Sequence, residues 1–260
     1  MHNRYRSQLT LGHLADFPAA GNMLQMRWDK ELAEVAQALA ERCSTVEGVV
    51  THDRPGDRTT LTFRSVGQNI FSERAPLLPE RLVVKWHFVV RDWFDQNYRY
   101  SSSQVENYEE VKKTQNFTQI AWARSYAVGC GFTTNIVRPN GAAKNSDVQY
   151  RDAFRMFIYV CNYAPAGNVP GKMLYWPGPP CSLCPDGTEC NKTTGLCRVT
   201  GDKPGKDKST TTTTMAPPPA EPDDHPPSDS APEAVAVMAS LAAALAATVT
   251  AVGAWWRGVA

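Results

Sequence analysis

The 260-residue chain lacks a charge bias: 27 Lys and Arg offset 26 Asp and Glu, leaving a formal charge of +1. That balance excludes bulk electrostatic attachment to nucleic acid. Two common hydrolytic motifs are missing. No Gly-x-Ser-x-Gly and no His-Glu-x-x-His occurs, so neither a nucleophile elbow nor a zincin centre can be built. Histidine is scarce, with five residues, and His13, His87 and His225 have no ligand spacing to one another. These absences leave a neutral chain long enough for a sizeable core and without an obvious catalytic motif.

What is present is unevenly spread. Residues 1–180 have mixed apolar and polar patterning. Four of the seven cysteines, Cys181, Cys184, Cys190 and Cys197, fall in a cysteine-rich hinge at 181–200. Residues 201–232 hold eight of the nineteen prolines and the Ser209–Thr214 run. Such a stalk cannot bury enough apolar surface to offset its chain entropy, and its composition resembles an O-glycosylated spacer. Residues 233–260 are an apolar anchor. Ala234 to Trp256 are 23 residues without a charge, followed by Arg257, long enough to span a bilayer. A GPI attachment signal around Ser228–Ser230 is the second reading, although its polar spacer is short. An alanine-rich soluble helix is the third. Cysteine cluster, stalk and anchor together imply the secretory route and a cell-surface location. The chain opens directly on the polar helical residues His2–Arg6, which suggests that a signal peptide and part of the first helix precede it.

Periodicity predicts helices at 2–12 and at Asp29–Cys43, where Leu32, Val35, Ala36 and Leu39 share one face. A third helix is expected to start at Pro79 and carry Leu82, Val83, Trp86, Val89, Val90 and Trp93. A short one is expected at Phe117–Trp122. Alternating aromatic and β-branched residues predict strands at Ala127–Thr134 and Phe154–Ala164, joined by a hairpin loop over Pro139–Asp152. Helices followed by an antiparallel hairpin give an α+β class.

Tyr159-Val-Cys-Asn-Tyr-Ala-Pro-Ala-Gly-Asn168 resembles the second signature of the CAP superfamily, the group of cysteine-rich secretory proteins, insect venom allergens and plant pathogenesis-related proteins. Asn116-Phe-Thr-Gln-Ile-Ala-Trp122 resembles the first signature. Gly67-Gln-Asn-Ile70, Val128-Gly-Cys-Gly131 and the His2-Asn3…Arg6 start also resemble family elements. The resemblance runs in order over residues 1–197 and has an arthropod venom-allergen flavour. It implies a three-layer α-β-α (SCP) sandwich followed by a short cysteine-rich hinge.

It also implies a cavity of two histidines and two glutamates, which in some members binds zinc. The matching positions here are His52, Gln68, Gln96 and Asn116, the third being Val89 instead if Trp86 rather than Trp93 is aligned with the family's helix tryptophan. One imidazole and three neutral amides make a poor zinc site, and glutamine cannot serve as a general base. No metal, cofactor or catalytic residue is therefore expected. The resemblance further implies a Cys130–Cys161 disulfide. The four hinge cysteines should form two bridges in one of three connectivities. Cys43 is left over, as a buried thiol or a bridge to a second chain. Asn116 and Asn191 head glycosylation sequons, with Asn191 the better placed. The function expected is non-enzymatic binding of a protein or lipid partner at the cell surface. The alternatives are a metal-dependent extracellular hydrolase or a stalked adhesive protein.

Overall fold

The computed structural model describes residues 1–42, 45–46, 49–77, 84–137 and 153–200, with backbone alone for Thr45, Val46 and Val49. Cys43, the Pro79 helix start with Leu82 and Val83, the 139–152 loop, the stalk and the apolar anchor lie outside the described residues.

Among the described residues four α-helices form: α1 (His2–Thr10), α2 (Lys30–Arg42), α3 (Trp86–Asp95) and α4 (Gln115–Ala121). Asp29 starts α2, its Oδ1 accepting the Leu32 amide at 3.0 Å, so one free N-terminal donor is satisfied. The strands are β1 (Arg27–Trp28), β2 (Thr45–Val46), β3 (Val49–Val50), β4 (Gly67–Pro76), β5 (Ala127–Val137), β6 (Phe154–Ala164), β7 (Thr188–Asn191) and β8 (Leu196–Val199).

The main sheet has the order β1-β5-β6-β4. β5 and β6 pair antiparallel from Ala127↔Ala164 to Val137↔Phe154, β4 adds antiparallel to β6, and the short β1 is parallel to β5. Strand alternation splits β6 between two cores. Met156, Ile158 and Val160 face α2, packing on Ala36, Leu39 and Ala40. Phe157, Tyr159, Cys161 and Tyr163 face the opposite way, into a larger core with Val89, Trp93, Phe94, Phe117 and Ile120 of α3 and α4. The result is a three-layer α-β-α sandwich with mixed α and β content.

β4 does not emerge from periodicity. Its sequence, GQNIFSERAP, is rich in residues of low strand propensity. It forms because β6, buried along most of its length, offers a full ladder of partners. α2 lies unusually close to β5. A Cβ on Gly129 would collide with backbone atoms of Leu32 and Ala33, and one on Gly131 with backbone atoms of Ala36 and Gln37. The two glycines of Val128-Gly-Cys-Gly131 thus permit the helix to rest directly on the strand backbone. Gln37 makes the contact specific. Its Oε1 accepts from Phe132 N at 2.8 Å and its Nε2 donates to Phe132 O at 3.0 Å.

Arg6 sits at the centre of the other layer, fully buried. Its Nε and Nη2 donate to Leu24 O at 3.0 and 2.6 Å. Nη1 donates to Ile120 O at 2.8 Å and Trp122 O at 2.7 Å, and Nη2 to Ala123 O at 2.9 Å. Three of these carbonyls belong to the last turn of α4 and the residues just after it, where the helix dipole is negative and carbonyls lack intrahelical partners. Burial lowers the guanidinium pKa to about 9, partly opposed by Tyr163, so the group remains cationic at neutral pH.

The cysteine-rich segment is built into the same compact unit as the sandwich. Disulfides join Cys181–Cys190 and Cys184–Cys197, which settles the connectivity in the structure. Cys130–Cys161 joins directly opposed residues of β5 and β6. β8 is anchored by Cys197 N donating to Met23 O and Gln25 N donating to Cys197 O, both at 2.8 Å. The Ser7 and Thr10 hydroxyls donate to Thr194 O. Leu196 and Cys197 are fully buried. The segment closes one end of the core, where the sequence suggested a separate hinge.

Candidate functional site

Of the four cavity positions, the structure joins His52 and Gln68. His52 is exposed on the loop after β3, and its Nδ1 lies 2.8 Å from Gln68 Oε1. Gln68 Nε2 donates to Asn162 Oδ1 at 3.0 Å, and Asn162 Nδ2 donates to Leu32 O at 3.4 Å. The direction of this relay is fixed from its far end. A carbonyl can only accept, so Asn162 turns its nitrogen to Leu32 and its oxygen to Gln68. Gln68 in turn presents its oxygen to His52. The ring proton must therefore sit on Nδ1. In the neutral ring, Nε2 carries the lone pair and is not used by any described residue.

Asn116 belongs to a different network, on the other face of the sheet. Asn69, next to Gln68 in β4, points across the pleat and is fully buried. Its Nδ2 donates to Asn116 O at 3.0 Å and to Tyr163 Oη at 3.2 Å. Tyr163 Oη is 2.8 Å from His2 Nε2. The phenol oxygen accepts from Asn69, and the direction of its contact with the neutral His2 ring follows the ring's tautomer. Burial above all, with Arg6 adding to it, lowers the His2 pKa to about 3. Burial also raises the Tyr163 phenol well above its ordinary value. Asn69 Oδ1 is buried without a hydrogen-bond partner.

Gln96 opens the 3-10 turn Gln96–Arg99 after α3. Its Oε1 is buried without a partner, and no hydrogen bond joins it to His52, Gln68 or Asn116. Trp93 Nε1, one turn earlier, donates to Ile70 O at 3.4 Å and ties this end of α3 to β4.

These residues do not fit zinc. The ion takes thiolate, imidazole and carboxylate ligands, commonly four in a tetrahedron. The four positions supply one imidazole and three amides, and the Gln68 oxygen is already engaged by His52. Among the described residues no group of three or more His, Cys, Asp or Glu is placed to hold a metal.

The two sequons stand in unlike settings. Asn116 is half-buried in the first turn of α4, and its partner hydroxyl, Thr118 Oγ1, is buried and 2.7 Å from Asn168 Oδ1. Asn191 lies at the end of β7, with Oδ1 accepting from the Thr193 and Thr194 amides and with Lys192 and Thr193 exposed. Its Nδ2 is not engaged by another described residue.

Three contributors escaped the sequence reading: Asn162, Asn69 and His2. A signal existed in the alternation of Cys161-Asn162-Tyr163 on a strand. It sends Asn162 toward α2 and Tyr163 toward α1, and marks each side with a polar group that needs a partner.

A model of the cysteine-rich secretory protein family, CAP, matches residues 1–163. Venom allergen 5 of Tityus serrulatus is 35% identical over 223 residues, covering 80% of this chain and 48% of the relative. The chain spans about half the length of this and similar relatives. Among solved structures, Na-ASP-1 aligns with a TM-score of 0.55 and 26% identity, over 75% of this chain and 44% of its own. NaASP2 with Zn2+ aligns with a TM-score of 0.51 and 26% identity, over 75% and 90%. With the sandwich, the hairpin signatures and the family model in agreement, the chain belongs to the CAP family of cysteine-rich secretory proteins.

Proposed function

We propose that this protein is an extracellular CAP module that works by binding a protein or lipid partner rather than by catalysis. The observation that carries the reading is the make-up of the cavity positions. His52 is held by an amide relay ending on a backbone carbonyl, with no carboxylate at Gln68, Gln96 or Asn116 to take a proton or orient a water. Three disulfides and the venom relatives support the extracellular setting. The Ala234–Trp256 run would tether the module to a membrane. Among the described residues, no helix is long and apolar enough to cross one.

The test has two readouts on the full chain from a secretory host. Native mass spectrometry should recover a bound lipid or protein. A peptidase assay with and without added zinc should show no turnover above buffer. Zinc-dependent turnover abolished by His52→Ala would overturn the proposal in favour of a hydrolase.

A further inference from the structure

Beside His52 lies a cleft of about 210 Å³, walled by the C-terminal end of α2, by β3 and by the loop that leads into the 3-10 turn Pro55–Arg58. From its geometry we infer a binding site for a sulfated saccharide. Two guanidinium groups, Arg42 and Arg54, line the cleft. Both are exposed, and neither has an ion-pair or hydrogen-bond partner among the described residues. Asp53, also in the wall, is neutralised by Arg58 at 3.5 Å, its side chain only 3% exposed. Among the described lining residues that leaves two cations against one carboxylate, Asp57, a surplus of one positive charge.

The mixture selects the ligand class. A bare oxyanion would use the two arginines and be repelled by Asp57. A sugar bearing a sulfate ester uses every group. The ester oxygens accept from Arg42 and Arg54, whose planar forks suit such groups. The hydroxyls donate to the Asp57 carboxylate and to His52 Nε2, which the amide relay leaves as an acceptor. Leu39 and Val50 supply an apolar wall for the C–H face of the ring. The volume, on the order of seven water molecules, exceeds what a lone sulfate needs. No covalent step is involved.

The cleft shares His52 with the cavity positions above, but the inference can fail without the binding reading, which is tested by peptidase turnover and recovered ligand. The test is calorimetric titration of the full chain with a sulfated heparin-derived disaccharide, its desulfated counterpart and inorganic sulfate. The sulfated disaccharide should bind saturably. The Arg42→Gln, Arg54→Gln double variant should bind it at least about tenfold more weakly, as expected for the loss of two charge-assisted contacts. Asp57→Ala should weaken the disaccharide and not inorganic sulfate. All three positions are on the surface, and thermal melts of the variants matching the parent verify folding. The inference falls if the parent shows no saturable binding up to roughly 1 mM, if the double variant binds as well as the parent, or if the desulfated sugar or inorganic sulfate binds as tightly.

Discussion

Replacing Arg6 by methionine keeps much of its length and removes all of its donors. Five N–H groups then no longer reach the carbonyls of Leu24, Ile120, Trp122 and Ala123, which they contact at 2.6–3.0 Å. A hydrogen bond to a charged group contributes about 1.5–3 kcal/mol, and a buried acceptor left unpaired costs about 1–3 kcal/mol. The contacts are not additive, and part of the gain offsets the burial of an unpaired charge. The net loss on Arg6→Met should be about 3–5 kcal/mol, a large fraction of the roughly 5–15 kcal/mol that holds a domain together. Arg6→Lys keeps the cation at the α4 terminus but offers three donors on a flexible stem in place of five in a rigid fork, so about 2–3 kcal/mol should be lost. Exposed Arg4 is the control, and Arg4→Met should stay within about 0.5 kcal/mol of the parent. Urea unfolding with disulfides intact gives each value from the midpoint and slope. An Arg6→Met protein within about 1 kcal/mol of the parent would refute the reasoning, since the carbonyl cage would then contribute little.

Other outcomes follow from the same geometry. His2 is held neutral down to about pH 3, whereas the unfolded ring takes its proton near the ordinary value of 6.5. The unfolded state thus binds the extra proton between those values. Stability should fall as pH drops through that window, by up to about 1.4 kcal/mol per unit, and His2→Gln should flatten the slope in a urea series across it. Gly131→Ala would drive a methyl into the α2 backbone and should lower stability by about 3 kcal/mol or more, measured by the same unfolding assay. Glycopeptide mass spectrometry should find Asn191 occupied and Asn116 bare, because Thr118 is locked against Asn168. A non-reducing peptide map should recover Cys181–Cys190 and Cys184–Cys197 as separate pairs.

How much of this was legible in the sequence depends on the range of the forces involved. α2 announced itself through Leu32, Ala36 and Leu39, which are buried together, because helical periodicity is local. β5 and β6 did so through alternation, and the family signatures supplied the frame between them. β4 stayed hidden because polar Gln68, Asn69, Ser72 and Glu73 become strand residues only beside β6. Arg6, an ordinary surface residue by composition, becomes a core hub only when four carbonyls from distant segments converge on it. His52, Gln68 and Asn116 could be named from motif order. Strand pleating, however, sends Gln68 toward α2 while its neighbour Asn69 reaches Asn116 on the other side. One-dimensional spacing does not carry that separation. The hinge connectivity likewise depends on where β8 docks.

The Gln37 amide has a consequence for the behaviour of the chain in company. Among the described residues, no strand pairs with β5 on its outer side beyond Val128. The edge of a sheet is in general a template on which a second chain can assemble. Gln37 fills one rung of it with a side chain that mimics a peptide group, accepting from and donating to Phe132 at once. The helix is thereby turned into a stopper, and the sheet ends where α2 begins. At this position a single side-chain amide stands against edge-to-edge growth of the sheet.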